Sequence, residues 1–405
     1  MKYRLLLAGV IACSFSVQAQ YKNDNKLYQA VFLEDLCKQL QAHPDHILLD
    51  VRSQGEYDDT SGFTSLNFGR LKNALHIDVR QLPDRWKELE KYKDKTIFIY
   101  CSHSQRSRRA SKQLADSGFA HIMNVNGGLT SFYLLKNTQG SCFTDMYSTN
   151  TRYKIYNPQE FCTATGNNTF ILDVRTDSAF KGIAANEGQN AFGVFKGAVN
   201  IPFAGLPASL ARVPKNKTII IVDDYGNDSP KAAQLLLDNG FTSVGILFNG
   251  MDEWFSLPPT DLPCKTQLVQ RNRKYNLLSG EEFSTLATSD NGAVVVDIRK
   301  ADEFNNQAKD YWRNVGKIKN AVNFPADQIA DHLQELASAK NKPVILYGFS
   351  SQGDAFHAAQ VLCNNGFTNV NVLKDGIFNL RWRAANIKDK AYLKDWVINI
   401  PDINQ

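Results

Sequence analysis

Cys101 and Arg106 are the pair of residues in this sequence with the clearest chemistry. The stretch IFIYCSHSQRSRRAS (97–111) runs from four apolar residues into a cysteine, a short polar loop, Arg106 and two further arginines. A thiolate is a far better nucleophile than a thiol, and nearby cations or free backbone amides favour it. The apolar run predicts a strand ending at Tyr100. Ser107 reads as the N-cap of a helix that Gly118 ends. Such a helix start turns unpaired N–H groups and the positive end of its dipole toward the loop. Cys101 is therefore the candidate nucleophile, and Ser102, His103, Ser104, Gln105, Arg106 and Ser107 are the candidate substrate-binding residues. The competing reading is an inert thiol buried at a strand end, but an inert thiol has no need of an arginine five positions on.

The elements that must position this loop occur three times. ILLDVRSQGEY (47–57), FILDVRTDSAF (170–180) and VVVDIRKADEF (294–304) align, with Asp50, Asp173 and Asp297 recurring 123 and then 124 residues apart. RLKNALHID, FKGAVNIPF and KIKNAVNFP match next, followed by IFIYCSHSQRS, IIIVDDYGNDS and VILYGFSSQGD. A helical run ending in Gly-Phe and a short strand with a glycine turn (VNGG, FNGM, KDGI) close each copy. Five blocks in one order, three times, define tandem modules. Their bounds are 21–145, 146–268 and 269–405, with the proline-rich SLPPTDLP (256–263) near the second junction. Apolar strands alternating with helical runs predict an α/β fold, each module a mostly parallel sheet with helices on both faces. In such sheets ligands bind beyond the carboxyl ends of the strands, where Cys101 stands.

The DVRSQGEY block, Cys101-x4-Arg106 followed by Ser107, and Asn126-Gly127-Gly128 resemble the rhodanese-like (sulfurtransferase) family, over nearly all of the chain beyond its first twenty residues. The resemblance implies a Cys101 persulfide, taken from a small anionic sulfur donor such as thiosulfate and passed to a thiol or cyanide acceptor. Cysteine phosphatases and arsenate reductases on related scaffolds use a loop one residue longer, so the four-residue spacing disfavours that alternative. Many rhodaneses have glycine where this chain has Ser104, which implies different loop angles or weaker activity. His103 is either an aid to acceptor deprotonation or an exposed side chain that tunes the local field.

Modules two and three lack the chemistry. Asp223 and Asp228 stand at the cysteine and arginine positions of module two, where they would repel an anionic donor. Asp223, Asp224 and Asp228 read as a solvated acidic loop rather than a metal cluster, and no metal or cofactor is expected. Module three has Gly348 and Gly353 at these places. A scaffold or partner-binding role is expected for both modules. A wholly non-catalytic assembly, with Cys101 a relic or redox sensor, is the main alternative to an enzyme. Asp50/Arg52, Asp173/Arg175 and Asp297/Arg299 persist in copies without a nucleophile, so they read as structural.

Six of the seven cysteines remain to be placed. Cys37 and Cys142 occupy the same two places in module one as Cys162 and Cys264 in module two, whereas module three has Ser284 at the first place. They either form two matching disulfides, Cys37–Cys142 and Cys162–Cys264, or stay buried as free thiols; an oxidising compartment permits the first. Cys363 reads as core. Lys2, Arg4, the apolar LLLAGVIACSFSV and the small-residue VQAQ form a signal peptide over 1–19, cleaved after Ala19. The run is too short to span a bilayer, so the expectation is an exported, periplasmic protein, with a lipoprotein anchored at Cys13 as the alternative. The chain has 405 residues, 43% of them hydrophobic, and a net charge of +5. It carries no basic tract with interleaved aromatics, which argues against a nucleic-acid partner.

Overall fold

The protein is described here by a computed structural model covering residues 27–137, 140–271, 273–289, 292–350 and 353–401. The signal-peptide residues and Cys13 lie outside this range.

Each module is built on one five-stranded parallel sheet. In module one the strand order places Gln29–Val31 at one edge, then Ile122–Val125, Ile97–Tyr100, Ile47–Asp50 and Leu75–His76. Modules two and three repeat that order. The central strand Ile97–Tyr100 is buried on both faces. Phe98 and Tyr100 pack with Leu36, Leu129 and Phe132 on one side, while Ile97 and Ile99 meet Ala110 and Leu114 on the other. Two covered faces are why this strand is uniformly apolar rather than alternating.

The Asp-x-Arg blocks are structural, as read. Asp50 accepts the Arg52 amide at 2.9 Å and both oxygens hold the Arg52 guanidinium, which also donates to the Gly69 carbonyl at 2.9 Å. Arg175 and Arg299 do the same to Gly193 and Gly316. The arginine thereby ties the strand end to the following excursion, and the aspartate removes the cost of burying its charge.

The segment that follows the last helices of each sheet returns as an antiparallel pair with that excursion: Tyr147–Ser148 on Arg70–Leu71, Val269–Gln270 on Val194–Phe195, and Val397–Ile398 on Lys317–Ile318. Cys37 is joined to Cys142, and Cys162 to Cys264, closing spans of 105 and 102 residues. Module three makes the same tie without sulfur: Trp396 Nε1 donates to Ser284 Oγ at 2.9 Å and its ring packs edge-on to Phe283. Cys363 is a free, buried residue on the helix Gly353–Asn364.

The modules share cores rather than hanging on linkers. Phe68 and Tyr133 of module one pack on Phe248 of module two, and a second apolar cluster runs from Trp254 of module two to Phe356 of module three. No helix among the described residues is long and apolar enough to cross a membrane.

Candidate active site

The Cys101 loop is held from below by the glycine turn of its own module. The Cys101 carbonyl accepts the Leu129 amide at 2.8 Å and Ser102 accepts that of Thr130 at 3.1 Å. A Cβ on Gly128, whose φ is +60°, would strike the Cys101 carbonyl oxygen, so only glycine permits this approach. Met251 bonds Asp223 and Ile377 bonds Gly348 in the same way, which aligns Cys101, Asp223 and Gly348 in space as in sequence.

The helix behind the loop spans Gln105–Asp116, three residues longer at its start than expected, and its N-cap is Ser104 rather than Ser107. Ser104 takes φ +76°, the left-handed conformation that favours glycine. Its hydroxyl offsets that strain by accepting the Gly127 amide at 2.6 Å. Ser107 has turned inward instead, with its Oγ 3.6 Å from Cys101 Sγ and donating to the Ser104 carbonyl at 3.1 Å.

Arg106 is forked on Glu56, with Nη2 to Oε1 at 2.7 Å and Nη1 to Oε2 at 2.5 Å, and it reaches Ser102 Oγ at 2.8 Å. Glu56 also closes a capping box with Ser53. Burial alone would raise the Glu56 pKa, but the Arg106 bonds and charge, with Ser53, hold it down at about 2. Sequence reading missed Glu56. Its signal was present: the acid stands in modules one and three and is Ala179 in module two, where Asp228 replaces the arginine.

Both ring nitrogens of His103 are engaged, Nδ1 with Ser102 Oγ at 2.9 Å and Nε2 with Thr130 Oγ1 at 3.1 Å. The residue is exposed, yet the protein crowding its ring, and then the Arg106 charge, lower its pKa from 6.5. Gln105 is exposed at the helix start.

Module three also reaches this loop. Trp382 Nε1 donates to the His103 carbonyl at 3.0 Å, across 279 residues of sequence. Asn386 Oδ1 accepts from Arg108 and lies 3.4 Å from the Gly127 amide nitrogen. The thiol is not open: Cys101 is free but only 1% exposed, as the competing reading of a thiol buried at a strand end expects. Its neighbours Val51, Ile77, Val79 and Ala110 form an apolar cluster on the inner side.

Module two corrects a second expectation. Asp223 is buried rather than solvated. Its carboxylate accepts the amides of Gly226 at 2.6 Å, Asp228 at 2.7 Å and Ser229 at 2.9 Å. Burial raises its pKa against these bonds, but three donors with no acceptor suit the ionised form. These amides correspond to those of Ser104, Arg106 and Ser107. Asp224 pairs with Arg175 at 3.2 Å.

Residues 33–134, 158–257 and 280–381 each match the Rhodanese-like domain model, and the chain belongs to that sulfurtransferase-type family as three tandem domains. A tRNA uridine(34) hydroxylase of Cytophaga hutchinsonii is 30% identical over 112 residues, which are 26% of this chain and 33% of the hydroxylase. Among solved structures, a rhodanese-related protein of Thermoplasma volcanium is 32% identical over 26% of this chain and 89% of its own, with a TM-score of 0.21. A thiosulfate sulfurtransferase of Pseudomonas aeruginosa is 17% identical over 85% of this chain and 66% of its own, also with a TM-score of 0.21. The chain thus spans about a third of the hydroxylase it matches.

Proposed function

We propose that the protein is an exported sulfurtransferase with one working site, at Cys101. The observation that carries this reading is the anion in the sister loop: the Asp223 carboxylate fills an amide cradle at the position where module one has a free thiol. By correspondence, the amides of Ser104, Arg106 and Ser107 would serve a Cys101 thiolate or persulfide as those of module two serve Asp223.

In the first step the Cys101 thiolate attacks the outer sulfur of thiosulfate. The new S–S bond forms as the old one breaks, and sulfite leaves with the electron pair. In the second step cyanide or an acceptor thiolate attacks the outer sulfur of the persulfide, and Cys101 departs as thiolate. Arg106, fixed by Glu56, supplies positive charge to the donor, and no cofactor takes part. Two disulfides suit an oxidising compartment. N-terminal sequencing of the mature protein tests export: a start at Gln20 supports it, and a lipid-modified Cys13 favours the anchored alternative.

The burial of Cys101 favours a second reading, a non-catalytic rhodanese-like scaffold or redox sensor in which modules two and three bind a partner. Coupled turnover of thiosulfate and cyanide separates the two. Turnover lost in Cys101→Ser supports the enzyme; none in the oxidised full-length protein supports the scaffold.

A further inference from the structure

A sizeable cleft lies in module three. It holds about 790 Å³ and is lined by Arg299, Glu303, Arg313, Gly348, Phe349 and Asp354, among others. It lies at the loop position that carries the thiol in module one, with Gly348 in place of Cys101. Module three kept the acid of the Glu–Arg fork and lost its arginine. Glu303 corresponds to Glu56, but Gly353 stands where Arg106 would, with Asn186 of module two against it. The serine of the capping box is also gone: Lys300 caps the helix Ala301–Phe304 without a side-chain bond.

The consequence is a buried carboxylate half satisfied. Glu303 is 6% exposed. Arg313, entering from a different segment, donates to Oε1 at 2.7 Å, and Oε2 has no partner. In module one both oxygens are held by one guanidinium, and Oε2 also by Ser53. An unpaired buried carboxylate oxygen is costly. Five carboxylates and four basic side chains line the cleft, and one of the four, Arg299, is already neutralised by Asp297. The field therefore favours a cation. Phe349, which lines the cleft and whose ring centroid lies 5.6 Å from the Arg313 guanidinium, gives the rim an aromatic face suited to a planar cation.

We infer that this cleft binds a small guanidinium-bearing molecule, whose N–H groups complete Glu303 in trans as Arg106 completes Glu56 in cis. The site is separate from Cys101, so a binding readout tests it whatever the outcome for sulfur transfer. Titration calorimetry on the oxidised full-length protein, with methylguanidinium and L-arginine as probes and the neutral isostere L-citrulline as comparator, decides it. Both guanidinium probes should bind saturably and L-citrulline should not. Glu303→Gln should weaken binding at least tenfold, and Arg313→Ala, which frees Oε1, should tighten it. If Glu303→Gln does not fold, Gly348→Val serves: its Cβ meets only ordinary contacts at Ile298, and it narrows the floor, so binding should fall. Equal binding of L-citrulline, affinity undiminished in Glu303→Gln or Gly348→Val, or no saturable binding of the guanidinium probes overturns the inference.

Discussion

Asp223 accepts the Ser229 amide at 2.9 Å, and the corresponding pair in module one is Cys101 and Ser107. The loop position that holds a carboxylate on three amides in one module holds a free thiol in the other, 3.6 Å from the Ser107 hydroxyl. A fixed negative charge in module two explains why that loop needs neither the arginine nor its glutamate. It also shows that a silent loop can be a filled one.

Removing that charge leaves three buried donors without an acceptor. Asp223→Ala should therefore lower stability by about 2–4 kcal/mol, read as a shift in the urea midpoint. The sulfur-transfer rate per folded molecule should stay unchanged. A loss below about 0.5 kcal/mol would mean that the cradle is not held by the carboxylate.

The Glu56–Arg106 fork predicts a pH dependence. Glu56 is lowered from 4.5 to about 2, so its contribution is fully present above the unfolded-state value. It is lost as pH falls from 4.5 toward 2, where the folded protein also takes up the proton. The loss should approach about 3 kcal/mol, an upper figure at about 1.4 kcal/mol per unit. Urea midpoints measured across this window should fall less steeply in Glu56→Gln than in the parent.

Trp382 and Asn386 fasten module three onto the Cys101 loop. Releasing one hydrogen bond of about 1 kcal/mol should favour the opened loop. Trp382→Ala should speed iodoacetamide modification of Cys101 about five- to tenfold, with the urea midpoint little changed. An unaltered rate would place the barrier to access elsewhere.

Each disulfide closes a span of more than 100 residues. Cys37→Ser/Cys142→Ser should cost about 2–5 kcal/mol relative to the oxidised parent and little relative to the reduced one. Peptide mapping under non-reducing conditions checks the pairing directly.

Much of the scaffold was legible because each module repeats one set of local signals. Strand blocks, glycine turns and the persistence of Asp50–Arg52 in silent copies all pointed to the fold and to a structural ion pair. The shared placing of Cys37 and Cys142 with Cys162 and Cys264 likewise put the four half-cystines in matching positions. The loop's helix start was misplaced because Ser104 holds a left-handed angle that a sequence does not display, while Ser107 looks like an ordinary cap. Asp223 was read by its charge alone, since the amides that hold it become visible only in the folded loop. Trp382 and Asn386 carry no local mark of their role. They meet the site through packing between modules, across 279 and 259 residues of chain.

The most direct test of sulfur transfer through Cys101 is intact-protein mass spectrometry of the oxidised full-length chain after exposure to thiosulfate. The account predicts the gain of one sulfur atom, mapped to Cys101, removed by cyanide as thiocyanate and absent in Cys101→Ser. No added sulfur on Cys101, with the protein folded and both disulfides intact, would contradict it.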